Sequence, residues 1–128
     1  MLLERLIVTA PVESGKLPVT AEHLQTIQEA LHDVTVAPGG TAVNRFVGLS
    51  VPVAGKTGTA ENALEEPHSW FAGYTMAGDP IHPDIAIVVL VENAGEGTSV
   101  AAPIFRRIVE KYFELPVTPL PWETGGNP

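Results

Sequence analysis

The chain predicts an α+β fold, a three-stranded antiparallel sheet with one helix packed before it and one after it. Three observations carry that prediction. Apolar residues recur at helical spacing over 21–34 and again over 100–114. Between them lie three runs rich in β-branched and small residues, at 51–61, 69–77 and 84–93. The links between those runs are short, which suits antiparallel neighbours better than the long crossovers of a parallel sheet.

Taken in order, Leu6-Ile7-Val8 is a short apolar run that fits a strand or a helix end, and 11–18 (PVESGKLP) is punctuation. Thr20 can cap a helix with Glu22 in its first turn, and Leu24, Ile27, Leu31 and Val34 give that helix one face to bury. Pro38, Gly39 and Gly40 break it. The first strand reads VPVAGKTGTAE. The second, SWFAGYTMA, is bounded by Pro67 and by Gly78-Asp79-Pro80. The third, DIAIVVLVEN, is apolar without alternation, which predicts burial on both faces. In the last helix Ile104, Phe105, Ile108, Val109 and Tyr112 share a side, Thr98 or Ser99 can cap it, and Pro103 falls in the tolerant first turn. Residues 1–114 read as one folded unit, and the proline-rich 115–128 as an extended or loose tail, with Trp122 either free or docked.

The chain has 128 residues, 45% of them apolar, and a mean hydropathy of +0.17, enough for one small domain with a core. Its net charge of −8, from 15 acidic against 7 basic residues, argues against a nucleic-acid surface or a polybasic membrane patch. The acidity itself reads most simply as solubility. Without cysteine there is no disulfide and no thiolate metal site. The opening MLLERLIVTA is too interrupted by Glu4, Arg5 and Pro11 for a signal peptide, and no run approaches the roughly 18 apolar residues of a membrane span. His23, His32, His68 and His82 show no metal spacing, so neither metal nor cofactor is expected.

The chemically suggestive stretch is Val53-Ala54-Gly55-Lys56-Thr57-Gly58-Thr59-Ala60-Glu61. Gly55-Lys56-Thr57 matches the end of a phosphate-binding loop, and Glu92 could pose as its acidic partner. The spacing fails, because the first glycine should stand where Ser50 is and Gly48 comes two residues too early. An acyl-transfer site fits better. On a strand, Lys56 and Gly58 point to one face and Thr57 and Thr59 to the other. Gly58 removes bulk, a free edge accepts an extended peptide, a threonine hydroxyl can hold a carboxylate, and an amide near Thr59 can face an oxyanion. An ordinary strand with an exposed lysine would carry the same tripeptide. Among the neighbours, His68 suits hydrogen bonding at a strand end better than catalysis. Glu61, Glu65 and Glu66 suit solvent, as do Arg106 and Arg107 on the last helix. Trp70, Phe71 and Tyr74 suit core or sheet surface.

GKTGTAE followed by HSWFAGYTM resembles the penicillin-binding proteins, the serine D,D-transpeptidases that cross-link peptidoglycan, whose superfamily carries a K-T-G signature. LPVTAEHLQTIQEALHDVTVAPGGTA and GEGTSVAAPIFRRIVEKYF are similar to the same family in the same order, over roughly 15–114. The resemblance implies a partial penicillin-binding transpeptidase fold, with 1–114 as the C-terminal portion of the domain. It also implies a serine acyl-enzyme formed on a D-Ala-D-Ala stem peptide and trapped by β-lactams. Lys56 would supply the cation, Thr57 and Thr59 would contact the substrate or drug carboxylate, Gly58 would give clearance, and the Thr59 amide would be one oxyanion donor. The parent would work outside the cytoplasm, at the bacterial membrane, although this chain shows neither signal nor anchor.

The family's S-x-x-K nucleophile and S-x-N motif are missing. The only serines are Ser14, Ser50, Ser69 and Ser99, and none has a lysine three residues on or an asparagine two residues on. The chain is therefore expected not to acylate alone, to need the missing N-terminal part of the domain, and to cover its bared apolar surface by dimerising or exchanging elements. Two other readings share the motif: a serine β-lactamase or β-lactam sensor, and a non-catalytic module that binds wall peptide or a protein.

Overall fold

A computed structural model describes residues 15–61 and 66–125. The run at Leu6-Ile7-Val8, Ser14 and Glu65 lie outside the described residues. The order is helix α1 (Ala21–Val36), a short helix α2 (Val43–Phe46), strands β1 (Val53–Ala60), β2 (His68–Thr75) and β3 (Ala86–Val91), and helix α3 (Ala101–Tyr112). A 3-10 turn at Pro121–Glu123 follows. The strands form one antiparallel sheet in the order β1-β2-β3. The α+β class and the meander are as the sequence predicts; α2, a single turn without amphipathic period, is an addition.

Thr20 does cap α1, accepting a hydrogen bond from His23 N at 3.2 Å. The expected buried face is only half used. Leu31 and Val34 are partly covered, whereas Leu24 and Ile27 are exposed, because α1 meets the sheet through its last turns. There Thr35 is buried, its hydroxyl 2.6 Å from the Val53 carbonyl and 2.9 Å from that of His32. The chain then turns sharply. Gly40 N donates to Ala37 O at 2.9 Å, and a Cβ at Gly40 would collide with the carbonyl oxygens of Asp33 and Val34.

The core lies between the sheet and α3, with α2 at its edge. Phe46, Phe71 and Phe105 meet with ring centroids 4.7 to 6.0 Å apart, surrounded by Val53, Val89, Ala101, Ala102, Val109 and Phe113. Ile87, Val89 and Val91 of β3 pack toward this core. Val88 and Leu90 on the opposite face remain 64% and 44% exposed, so the predicted double burial of β3 is corrected to burial on one face. An unbroken apolar run cannot distinguish a strand covered twice from one whose second cover is missing from the described residues.

Two further expectations change. Neither Thr98 nor Ser99 caps α3, whose N-cap is Val100 without a side-chain hydrogen bond. A side chain from β2 serves instead: Ser69 Oγ accepts from Ala101 N at 3.0 Å and donates to Glu96 O at 2.9 Å. Arg106 and Arg107 are not a solvated face. Arg106 Nε donates to Glu110 at 2.7 Å, and its Nη1 donates to the carbonyls of Arg45 and Val47. Arg107 grips Glu123 with two nitrogens, at 2.9 and 2.6 Å. Through these contacts, and through Thr118 bound to the buried Glu110 carboxylate, the tail as far as Glu123 lies docked on α3. Burial pushes the Glu110 carboxyl up, but the Thr118 and Arg106 hydrogen bonds outweigh it and hold the group below its ordinary value.

Candidate functional site

β1 is an edge strand, and its pairing with β2 sets the orientation of every candidate residue. Lys56 lies opposite Ala72, Thr57 opposite Phe71, Gly58 opposite Trp70 and Thr59 opposite Ser69. Phe71 and Ser69 face α3, so Thr57 and Thr59 share that side, at the sheet margin beyond the core. Lys56 lies on the other face, where it borders an apolar hollow of 360 Å³ with Leu31, Ala72, Tyr74 and Val88. This is the alternation that strand geometry predicts.

The lysine does not stay on its own face. It is exposed, and its Nζ reaches around the edge to donate to Thr57 O at 2.7 Å, ending 3.4 Å from Thr57 Oγ1. Thr57 Oγ1 is in turn 3.0 Å from Thr41 Oγ1, on the turn before α2. The ammonium and the two hydroxyls thus form one polar chain. An anion accepted by the hydroxyls would feel the cation at close range.

Thr57 and Thr59 also line a cavity of 280 Å³ with Thr41, Glu96, Gly97 and Thr98. The far wall of this groove is the Glu96–Thr98 turn, held from three sides. Ser69 Oγ takes Glu96 O, and Arg45 Nε donates to Thr98 O at 2.8 Å. Gly97 is buried so closely on the hairpin that a Cβ would strike the carbonyl oxygens of Trp70 and Gly58. At Gly58 itself a Cβ would stand 3.2 Å from Trp70 Cβ, so local packing also uses the clearance there. The structure therefore brings Lys56, Thr57 and Thr59 to one sheet margin. It adds Thr41, Glu96 and Thr98, which the sequence reading missed. Nothing in the local pattern at 41 or 96–98 marks these residues; they arrive by tertiary folding.

The other candidates are accounted for structurally. His68 Nδ1 accepts from Asn93 N at 3.0 Å at the start of β2, the strand-end role expected of it. His82 packs edge-on against Tyr112. Glu61 and Glu66 are exposed, Phe71 is fully buried, and Trp70 and Tyr74 are half-buried. Trp122 is 37% exposed and stands in the docked 3-10 turn. Among the described residues no group of three or more His, Asp or Glu could hold a metal, and no helix is long and apolar enough to cross a membrane.

The chain is similar in sequence and in structure to known proteins. It is 30% identical over 104 residues to the peptidoglycan D,D-transpeptidase MrdA of Haemophilus influenzae, covering 70% of this chain and 16% of that protein. It is 34% identical over 101 residues to the peptidoglycan D,D-transpeptidase PbpA of Mycolicibacterium smegmatis, covering 72% and 18%. The crystal structure of Pseudomonas aeruginosa PBP2 in complex with WCK 5153 superposes with a TM-score of 0.63 at 26% identity, over 80% of this chain and 23% of that one. The chain thus spans under a fifth of the length of these curated relatives. The family model of the penicillin binding protein transpeptidase domain matches residues 4–110. With the sheet, the flanking helices and the sequence all in agreement, the chain belongs to the penicillin-binding protein transpeptidase family, as a part of that domain.

Proposed function

We propose that this chain is the substrate-cradling portion of a peptidoglycan D,D-transpeptidase, and that it does not acylate by itself. One observation carries the reading: Thr57 and Thr59 line a groove beside a strand edge that is unpaired among the described residues, and the Lys56 ammonium reaches the Thr57 hydroxyl there. An extended stem peptide ending in D-Ala-D-Ala could add to the β1 edge through main-chain hydrogen bonds, its carboxylate on the threonine hydroxyls. A β-lactam carboxylate would take the same place. Lys56 would stabilise both that carboxylate and the charge that develops during acyl transfer, with the Thr59 amide as one oxyanion donor and Gly58 keeping the strand slim.

The nucleophile would come from upstream sequence of the parent. Of this chain's serines, Ser69 is fully buried and committed to two backbone partners, which suits a structural role. The partners implied are the stem peptide, β-lactams and the missing N-terminal part of the domain, at the outer face of a bacterial membrane. In isolation a second copy of the chain would cover the exposed apolar sheet face. A β-lactamase or sensor relative would share the groove but hydrolyse or report the drug, and a binding module would use the groove alone.

The deciding experiment is intact mass after incubation with a penicillin, on this chain and on the chain extended with its upstream sequence. An adduct on the extended protein alone is expected. An adduct on this chain alone would make one of its four serines the nucleophile and overturn the proposed division of labour. No adduct on either would favour the non-catalytic module, and rapid turnover without an adduct the β-lactamase.

A further inference from the structure

A further concave site lies where α2, α3 and the docked tail meet. It is a cavity of 220 Å³ lined by Asn44, Arg45, Pro103, Arg106, Thr118 and Leu120, among others. Two guanidinium groups on one small cavity stand out in a chain of net charge −8. They are not equivalent. Arg106 is compensated by Glu110 and by two backbone carbonyls. Arg45 spends its Nε on Thr98 O at 2.8 Å and forms no ion pair with any described residue. A guanidinium keeps its charge at every ordinary pH, and its terminal nitrogens present parallel donors matched to a carboxylate. The cavity thus has an uncompensated cation, the neutral Asn44 carboxamide, and apolar walls from prolines and Leu120.

We propose that this cavity binds a small carboxylate bearing an apolar substituent, of the N-acyl amino acid class, with Arg45 as its anchoring fork. The side chain of Arg45 is shared between two places, because its Nε also holds the Thr98 carbonyl in the wall of the threonine groove. Occupation of the cavity therefore stiffens that wall, and the two sites communicate through one guanidinium. The inference stands apart from the transpeptidase reading, since it requires neither the nucleophile nor a stem peptide.

The test is a titration of the isotopically labelled chain with N-acetylalanine, followed by amide and arginine-side-chain NMR, beside its uncharged amide as control. Saturable shifts are expected at Arg45 Nε–H, Thr118, Leu120 and Thr98, with half-saturation on the order of millimolar, and no saturable response to the amide. Arg45→Gln should weaken binding about tenfold, as loss of a charge-assisted contact does. Asn44→Asp leaves the fork in place, sets a negative charge at the exposed cavity mouth, and should also weaken binding, more so at low salt. If Arg45→Gln fails to fold, the Asn44 variant decides. No saturation, an equal response to the amide, or full affinity in a folded Arg45→Gln or in Asn44→Asp would each overturn the proposal.

Discussion

Ser69 shows how much one hydroxyl can organise. It is buried, it takes the place of the missing N-cap of α3, and it holds the wall of the threonine groove. Ser69→Ala would orphan the Ala101 amide and leave the Glu96 carbonyl with Ser99 N as its remaining donor. A loss of about 1–3 kcal/mol is expected from urea denaturation, with amide shifts spreading to Gly97 and Thr98. Tyr74 is the opposite case: its buried hydroxyl has no hydrogen-bond partner among the described residues. Tyr74→Phe should therefore leave stability unchanged or raise it by roughly 1 kcal/mol, and a fall in melting temperature would show that the hydroxyl has a partner. Glu123 sets a pH response. The Arg107 hydrogen bond, aided by Leu120 N, holds its carboxyl down to about 2 from an ordinary 4.5. A depressed carboxyl stabilises the docked tail above about 4.5, and that contribution fades as pH falls toward 2. Trp122 fluorescence should report the release in this window, and Glu123→Gln should flatten that part of the profile.

At the scale of elements, the aromatic trio joins α2, β2 and α3 into one core. Phe105→Ala should cost about 3–5 kcal/mol, a large share of the roughly 5–15 kcal/mol available to a domain, as chemical denaturation would show. Most elements could be read in the sequence because local pattern suffices for them: Thr20 before an apolar period, apolar runs between Gly and Pro, a helix with Ile104, Phe105 and Ile108 on one side. Misreadings arose where a distant residue decides. The α3 cap comes from β2, 32 positions back in sequence. The arginines of α3 are engaged by Glu110, by the α2 region and by the tail. The solvent-facing Val88 and Leu90 look like core residues in a string of letters. The candidate site divides in the same way: Lys56, Thr57 and Thr59 are a contiguous motif, while Thr41 and the Glu96–Thr98 wall need the folded chain.

For the whole molecule the dominant contrast, among the described residues, is between a well-closed α3 side and an apolar sheet face left open. Val88 and Leu90 stand on an edge strand that carries neither charge nor proline from Ala86 to Val91, the features that usually discourage edge pairing. Self-association at micromolar concentration is therefore expected in light scattering. Val88→Lys should shift the chain toward monomer with its circular dichroism unchanged. A monodisperse monomer in the parent sequence would remove the case for a dimer.

The seat of Gly97 on the β1–β2 hairpin also orders events in time. Its close neighbours, Gly58 and Trp70, belong to strands that must already be paired in register before the turn can settle against their carbonyls. The hairpin bonds are local in sequence, and the loop that brings residue 97 back closes late, at a greater entropic cost. Docking of α3 and completion of the groove wall are thus expected to be late steps of folding. Gly97→Ala should accelerate unfolding while hardly slowing refolding, the kinetic signature of a contact made after the barrier.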